Sequence, residues 1–262
     1  MKTTTASPRL AVQSLAKSYG SGPAAAHVIG DLTFSVNEGE VVCIVGPSGV
    51  GKTTLLKCLA GLHPSTGGTI SIDGREISGP PKEMALVFQD YSRSLMPWLS
   101  VRKNLILPLR HLHLDPAELA ERCDTALSAV GLAGADHKYP WQLSGGMQQR
   151  VAIARALAYR PEILIMDEPF ASVDAQTRFE LEDLCLKIRR DFGMTILLVT
   201  HDIDEAVYLS DRIVAIGSKP AKVLEIIDVD LPAEREQIAT RALPQFAELR
   251  TRTLSLIRRA QS

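Results

Sequence analysis

The sequence predicts an α/β protein built around a parallel sheet, on the basis of three observations. Three short runs are apolar throughout, a glycine-rich loop follows the first, and helical patterns follow the first and the third. The runs are Val41–Val45, Ile163–Met166 and Ile196–Val199. Strands buried on both faces of a parallel sheet have this composition. Buried helix segments are the alternative, which the β-branched content of the runs disfavours.

In the N-terminal part of the sequence, apolar and polar residues alternate with a period of two. Residues 10–12, 32–36 and 69–72 follow this pattern, and the turn pair Asp73-Gly74 comes directly after the last of them. Antiparallel strands with one exposed face show such alternation. We therefore expect antiparallel strands next to the parallel core, with both parts contained in residues 9–90 and 151–220.

Residues 91–150 interrupt the α/β pattern with a mostly helical insert. Asp115-Pro-Ala-Glu118 predicts a helix start, because Asp is a good N-cap and proline suits the first helical position. Apolar residues then recur at helical spacing until Gly131, which is placed to end the helix.

The last part of the chain, residues 221–262, is a tail that is too short for an independent regulatory domain. Lys222–Ile227 predicts a final hairpin strand. The apolar spacing of Phe246, Leu249 and Leu256 predicts an amphipathic helix at the end.

The composition is that of an ordinary globular protein. The 262 residues are 45% hydrophobic and 23% charged, and the formal net charge of −1 gives no global attraction to nucleic acid or anionic lipid. The four cysteines lack C-x-x-C spacing, which disfavours a metal or disulfide framework and favours a reducing cytosol. Neither an apolar signal-peptide core nor a run of 18 apolar residues is present, so we expect neither a membrane span nor ordinary secretion.

The most informative motif is a phosphate loop. The residues Gly46, Pro47, Ser48, Gly49, Val50, Gly51, Lys52 and Thr53 match G-x-x-x-x-G-K-[ST], and Thr54 continues into a helical run. Backbone N–H groups of such a loop wrap phosphates, Lys52 reaches the β- and γ-phosphates, and the Thr53 hydroxyl ligates Mg²⁺. A chance glycine-rich turn is disfavoured by the strand that precedes the motif and the helix that follows it.

Two acidic residues end the second buried run. Asp167 is placed to hold Mg²⁺ through water, and the adjacent Glu168 points elsewhere on an extended chain, where it can polarise the attacking water. Taken alone, the pair also fits two solvated acids at a strand end.

Two more polar residues follow buried strands. Gln89 ends the segment Ala85–Phe88, and His201 follows the strand Ile196–Val199. Because strand ends on one side of a parallel sheet converge, Gln89 is a candidate contact for Mg²⁺ and water, and His201 a donor to the γ-phosphate. Taken singly, each is more typical of a solvated loop residue.

The stretch LSGGMQQR, residues 143–150, places two glycines at the start of a helix. Gly145 and Gly146 weaken that helix but leave its first N–H groups unhindered, and Ser144 adds a hydroxyl. The start is therefore suited to bind an anion, although Ser144 also fits a plain N-cap.

Together these motifs are recognisable. LSGGMQQR between the phosphate loop and ILIMDEP, with VFQ before and VTHD after, resembles the nucleotide-binding subunit of ABC transporters over essentially the whole chain. The resemblance implies a P-loop NTPase fold with a RecA-like core, an N-terminal antiparallel β subdomain and an inserted helical subdomain. It also implies that the LSGG stretch of one subunit closes over the ATP held by the phosphate loop of another.

The resemblance assigns further residues. Tyr19 in KSYG resembles the aromatic residue that stacks on adenine, although a plain surface tyrosine is the alternative. Asp174, with Ser172, corresponds to the loop after the acidic motif, in which Val173 replaces the usual leucine. Met147 replaces the commoner glutamine after LSGG, and we expect ATP binding to survive that change.

The implied activity is Mg²⁺-dependent ATP hydrolysis with Glu168, His201, Gln89 and Lys52 as catalytic residues. The implied partners are a second copy with two ATP molecules at the interface, transmembrane permease subunits and, indirectly, a substrate-binding protein, with no nucleic acid. The implied location is the cytoplasmic face of a bacterial or archaeal cell membrane.

The segment from Asp90 to Val101 is the expected contact with the permease, since it follows Gln89 and contains Leu95, Met96 and Trp98. Exposed apolar groups of this kind suit docking of a partner helix, whereas packing of the insert on the sheet is the alternative.

The pieces LMPWLSV and DHKYPWQLSGGMQQR are similar to importers of nitrate, taurine and other alkyl sulfonates. A non-transport ABC ATPase that remodels DNA, ribosomes or an iron–sulfur scaffold is the second function class, but the long coiled-coil insertions typical of such proteins are not visible. A P-loop kinase gives no reason for LSGG.

Overall fold

The computed structural model describes residues 7–22, 25–90 and 94–260, and its framework is one mixed sheet. Within these residues ten strands pair in the order β5-β4-β1-β2-β10-β9-β3-β8-β7-β6. The strands are β1 (Leu10–Tyr19), β2 (Ala26–Val36), β3 (Val41–Val45), β4 (Gly67–Ile72), β5 (Arg75–Glu76), β6 (Met84–Val87), β7 (Ile163–Asp167), β8 (Thr195–Thr200), β9 (Arg212–Gly217) and β10 (Ala221–Asp228).

Eight α-helices surround the sheet in the part of the chain that is described. They are α1 (Lys52–Leu59), α2 (Val101–Ile106), α3 (Pro116–Ala129), α4 (Gly145–Ala158), α5 (Ala175–Phe192), α6 (Ile203–Leu209), α7 (Gln237–Arg241) and α8 (Pro244–Arg259). Two short 3₁₀ helices cover Leu107–Leu112 and Pro140–Gln142. None of the helices in these ranges has the length and apolar character that crossing a membrane requires.

The parallel half of the sheet brings four strand ends to one level. β3 pairs with β8 up to Val45 and Thr200, β8 pairs with β7 at Val199 and Asp167, and β7 pairs with β6 at Met166 and Val87. Because these strands run in the same direction, the loops that follow them meet at one edge of the sheet.

The predicted strands and helices are found, but β1 and β2 are longer than the alternating segments indicated. The three apolar runs are β3, β7 and β8, and the N-terminal alternating segments lie in the antiparallel strands β1, β2 and β4. The helical prediction was incomplete, because the longest helix, α5, follows the second run and was not expected. Helix α4 continues to Ala158, so the expected end of the insert at residue 150 falls inside a helix.

The core lies on both faces of the sheet, as the alternation along β3 shows. Val41, Cys43 and Val45 pack into one buried cluster, and Val42 and Ile44 into the other. This two-sided burial explains why the strand is apolar at every position.

The helical insert is fixed by capping and by one buried amide. Asp115 accepts hydrogen bonds from the N–H groups of Ala117 and Glu118, as expected for the N-cap of α3. Asn104, which is fully buried, accepts from Met96 N at 2.8 Å and donates to nearby carbonyl oxygens, including that of Leu99 at 3.1 Å. The loop before α2 therefore has a defined conformation.

That loop corrects one expectation about the segment after Gln89. Trp98 is 70% exposed, as expected for a docking residue, and Met96 is half-buried. Leu95 is only 1% exposed and belongs to the core, because the insert packs on the sheet there. Residues 91–93 of the segment lie outside the described residues.

The tail joins the two halves of the sheet. Strand β10 pairs antiparallel with β9, as expected for a hairpin, and parallel with β2 on its other side. Further on, Arg241 pairs with the buried Glu182 at 2.7 Å, and its guanidinium lies 4.9 Å from the ring centres of Phe179 and Tyr208. The tail is thus part of the folded unit.

Asn104→Ala is expected to lower the free energy of unfolding by about 2–4 kcal/mol, since it leaves a buried N–H and buried carbonyls without their partner. Urea denaturation measures this change. Asn37→Ala, at an exposed turn, is the control and should change the free energy by less than about 0.5 kcal/mol. Equal stability of the Asn104 variant and the wild type would contradict the role given to this amide.

Candidate active site

The phosphate loop lies between β3 and α1, where glycine is required on steric grounds. Gly49 and Gly51 have φ angles of 74° and 110°, which disfavour any side chain. A Cβ on Gly46 would lie 2.7 Å from the carbonyl oxygen of Ile216, and one on Gly51 would lie 2.8 Å from Val28 Cγ1. The loop is therefore packed against the neighbouring strands, while Ser48 and Gly49 remain exposed.

A cavity of about 440 Å³ opens at this loop. It is lined by Val28, Ser48, Gly49, Gly51, Lys52, Thr53, Thr54, Gln89 and Glu168. Gly46 and Pro47 do not line it, and the Val50 side chain is in the core. Val28 was not anticipated, because its place in an alternating strand does not reveal that Gly51 packs against it.

Lys52 is held at the mouth of the loop by the loop itself. Its Nζ donates to the carbonyl oxygens of Gly46 at 2.8 Å and Pro47 at 3.1 Å. Burial lowers the pKa of the Lys52 ammonium, and the carboxylates of Glu168 and Asp167 oppose this shift. A cation in such a position gains strongly from an anionic ligand that replaces the lost solvation.

Glu168 is the centre of a small polar cluster. Its backbone is in the left-handed region with φ 42°, and its N–H donates to the carbonyl of Val199 at 2.8 Å. Gln89 Nε2 donates to Glu168 Oε2 at 2.9 Å, and His201 Nδ1 lies 3.1 Å from the same oxygen. The structure thus brings together three of the residues that the sequence predicts to be catalytic, since each follows a different parallel strand.

The donor set beside this cluster fits a magnesium ion. Thr53 Oγ1 lies 3.4 Å from Asp167 Oδ2, so a hydroxyl and a carboxylate face one another next to the cavity. Burial raises the pKa of Asp167, with a further contribution from the charge of Glu168, and the hydrogen bond from Thr53 and the charge of Lys52 oppose this shift only in part. With Gln89 Nε2 turned to Glu168, the amide oxygen of Gln89 is a third hard donor of the kind that Mg²⁺ prefers.

Comparison with known proteins identifies the family of this chain. The family described as ABC transporter matches residues 29–171, which is more than half of the chain. The chain belongs to the ABC transporter family. It is an ATP-binding subunit and an ATPase of that family, so the kinase alternative is excluded.

Three relatives cover nearly the whole chain. Aliphatic sulfonates import ATP-binding protein SsuB of Bacillus licheniformis is 43% identical over 94% of this chain and 92% of its own length. Nitrate import ATP-binding protein NrtD of Synechococcus elongatus is 44% identical over 88% and 85%. Taurine import ATP-binding protein TauB of Escherichia coli is 38% identical over 95% and 96%.

Solved structures agree on the fold. The dimeric structure of a post-hydrolysis state of an ATP-binding cassette bound to ADP and Pi matches with a TM-score of 0.73 and 31% identity, covering 84% of this chain and 98% of the other. CbiO1 of Clostridium perfringens, part of an ABC transporter complex, matches with a TM-score of 0.77 and 29% identity, covering 84% and 88%. The α/β fold of an ABC ATPase is therefore confirmed.

The LSGG stretch of this ABC ATPase lies away from its own phosphate cavity. Ser144 caps α4 by accepting from Met147 N at 3.3 Å, so the plain N-cap interpretation is correct for the isolated chain. Ser144 and Gly145 are exposed, and neither lines the cavity. A single chain thus keeps these two groups of the sequence-predicted site apart.

Glycine at position 146 is favoured by a packing contact that the sequence does not reveal. A Cβ at this position would lie 2.4 Å from Thr177 Cγ2 on the first turn of α5. Thr177 cannot easily turn away, since its Oγ1 donates to Asp174 Oδ2 at 2.7 Å and its N–H donates to Asp174 Oδ1 at 3.0 Å. Asp174, expected at a nucleotide, is here the N-cap of α5, and these hydrogen bonds lower the pKa of its carboxyl.

Tyr19, expected to contact adenine, is 40% exposed and does not line the phosphate cavity. It stands opposite Ala26 on β2, two residues from the cavity residue Val28. Two residues of a strand span about 7 Å, so the ring lies at the side of the cavity and not within it.

The turn that carries His201 is fixed by a charged network. Thr200 Oγ1 accepts from Asp202 N at 2.9 Å and donates to Glu205 Oε2 at 2.5 Å. Arg178 Nη1 on α5 donates to Asp202 Oδ2 at 2.9 Å. Burial raises the pKa of Glu205 to about 7, and the neighbouring Asp202 adds to the shift. Sequence reasoning missed this network, because Arg178 and Glu205 are distant in the chain.

Gly146→Ala is expected to destabilise the protein by about 1–3 kcal/mol, because the new methyl group overlaps Thr177 Cγ2. Urea denaturation measures the loss. Thr177→Ser removes that Cγ2 but keeps the hydroxyl, so the double variant should recover most of the stability. Gly79→Ala, whose Cβ meets nothing within 4 Å, is the control. Failure of the double variant to recover would contradict the packing described.

Glu205→Gln is expected to change the pH dependence of stability. The folded protein binds the Glu205 proton more tightly than the unfolded chain, so stability is lost as the pH rises through about 7. Glutamine does not ionise, and the variant should gain about 1–3 kcal/mol relative to wild type between pH 5 and pH 8.5. A constant difference in the free energy of unfolding between Glu205→Gln and the wild type across this range would contradict the raised pKa.

Proposed function

We propose that this ATPase drives import of a small oxyanion of the nitrate, taurine or alkyl sulfonate kind. Its three reported relatives, at 38–44% identity, are named as import subunits for these ligands. The single observation that supports ATP hydrolysis best is Glu168 held by Gln89 and His201 at the edge of the phosphate cavity. The non-transport alternative gains no support from these relatives.

In this proposal Glu168 accepts a proton from the attacking water. Both polar contacts of its side chain reach Oε2, so we assign Oε1 to the water. Gln89 and His201 orient the carboxylate, and His201 is also placed as a donor to the γ-phosphate. Lys52 and the N–H groups of the loop neutralise the phosphates. Thr53, Asp167 and Gln89 would hold Mg²⁺, which supplies charge neutralisation at the phosphate oxygens when it is bound.

The proposed active unit is a pair of subunits. Ser144, Gly145 and Gly146 form an exposed helix start that suits an anion, and the phosphate loop of the same chain is elsewhere. In the pair, each LSGG stretch covers the ATP of the other subunit. Tyr19 contacts the adenine base, and Asp174 lies at the interface between the subunits. ATP then favours the closed pair, and loss of the γ-phosphate reopens it.

The proposed contact with a permease uses the insert, residues 91–150, as a subdomain beside the core. An apolar groove of about 570 Å³ runs between β6, which leads to Gln89, and α4, which begins next to Ser144. Arg155 in this groove donates to the carbonyl oxygen of Ser94 at 2.6 Å, on the segment that presents Trp98. A membrane partner in this position would contact, from the cytoplasmic face, both β6, which leads to Gln89, and α4, which begins next to Ser144.

The catalytic assignment has a direct test. Glu168→Gln should keep ATP affinity within about threefold of wild type, because the phosphate contacts remain, and should lower the hydrolysis rate by about 10²–10⁴-fold. Isothermal titration and phosphate release measure the two quantities. Glu180→Gln, an exposed residue on α5, is the matched control. Hydrolysis at the wild-type rate would remove Glu168 from the mechanism.

The docking assignment has a separate test. Trp98→Ala should reduce ATP-driven transport in proteoliposomes at least fivefold and change the ATPase rate of the isolated subunit less than twofold, since the side chain is exposed and outside the catalytic cluster. Ile238→Ala, at an exposed apolar residue of α7 outside the insert, is the control. Equal loss of transport and isolated ATPase activity would show that Trp98 supports the fold instead.

A further inference from the structure

Lys17 is an unusual residue for the end of an antiparallel strand, because it is charged yet only 8% exposed. Its Nζ donates to the carbonyl oxygen of Pro64 at 2.7 Å and lies 4.9 Å from the centre of the Tyr19 ring. The second distance is within the range of a cation–π interaction. The ammonium group therefore covers one face of Tyr19.

His63 holds the same tyrosine from another direction. Its Nδ1 and Tyr19 Oη share a hydrogen bond of 3.0 Å. The two rings meet edge to face, with centres 6.1 Å apart and planes at 80°. The hydroxyl and one face of Tyr19 are thus engaged inside the protein, while 40% of the residue remains exposed.

Both supports of Tyr19 are connected to the phosphate loop. His63 and Pro64 follow α1, whose first residue is Lys52, and His63 N donates to the carbonyl of Lys57 in that helix. On the other side, the β2 strand that pairs with Tyr19 contains Val28, which lines the phosphate cavity and contacts Gly51. The ring is therefore fixed relative to the site that receives the phosphates.

We propose that Lys17 and His63 are positioning residues that fix Tyr19 as a one-sided stacking platform for the nucleotide base. This inference rests on the proposed nucleotide site and adds two residues to it that have no role in phosphate binding or hydrolysis. Lys17 acts by covering the inner face of the ring, and His63 acts by fixing its hydroxyl. Neither residue touches the nucleotide.

The physical reason is preorganisation. An exposed tyrosine loses side-chain freedom when a base stacks on it, and a ring that is already fixed loses less. A cation behind the ring also draws electron density away from the outer face, which strengthens stacking with an electron-rich purine. This contribution to affinity depends on the presence of a base, so ligands that consist only of phosphates should not show it.

The experiment compares two ligands, Mg-ATP and magnesium tripolyphosphate, by isothermal titration. Lys17→Met should weaken Mg-ATP binding about three- to tenfold, the range expected when a side chain must be ordered on binding, and should leave tripolyphosphate within about twofold. Lys17→Arg keeps the cation and should restore ATP affinity to within about twofold. Lys103→Met, an exposed lysine on α2, should match wild type with both ligands.

A double variant that lacks the tyrosine ring supplies the second readout. In Tyr19→Ala, which itself should bind ATP at least as weakly as Lys17→Met, adding Lys17→Met should cause no further loss. The inference is overturned if Lys17→Met weakens both ligands equally, leaves ATP affinity unchanged, or weakens ATP binding equally without Tyr19. Failure of the wild type to bind either ligand would instead overturn the nucleotide site itself, and the platform with it.

Discussion

The active site depends on the pairing of four parallel strands that end at one level. β3, β8, β7 and β6 are bonded side by side up to Val45, Thr200, Asp167 and Val87. The phosphate loop, His201, Glu168 and Gln89 each follow directly from one of these ends. A shift of one strand by one residue would move its side chains by about 3.3 Å and reverse their faces, which would separate Glu168 from its two partners. The apolar core on both sides of the sheet fixes this register.

The second feature of the molecule is that the LSGG stretch at the start of α4 and the phosphate cavity are separate, with contacts of α5 on both sides. Ser144 and Gly145 are exposed, away from the phosphate cavity, so they are available to another molecule. The first turn of α5 contacts both sides: Thr177 limits the approach of Gly146, and the adjacent Arg178 bonds Asp202 beside His201. Helix α5 is therefore packed between the start of α4 and the turn that carries His201.

Much of this site was predictable from the sequence because its residues occur in short motifs with a fixed relation to strand ends. The phosphate loop and the acidic pair are examples, since each motif can be recognised within a segment of at most eight residues. What the sequence did not reveal depends on contacts between distant segments. Thr177 leaves no room for a side chain at Gly146, and packing of the insert buries Leu95. His63 supports Tyr19 directly, and Pro64 supports it by binding Lys17. Helix α5 was missed because its long, mostly polar sequence hides the apolar stripe that faces the core.

The measurement that tests the shared active site most directly is the ATPase rate of a mixture of two inactive variants. Lys52→Ala disables the phosphate loop, and Ser144→Arg blocks the LSGG stretch. If each site combines the loop of one subunit with the LSGG stretch of the other, each variant alone is inactive, and an equal mixture recovers about a quarter of the wild-type rate. Half of the random dimers are then mixed, and each mixed dimer has one intact site of two. A mixture as inactive as its components would contradict the composite site, since a chain that used its own LSGG stretch would gain nothing from a partner.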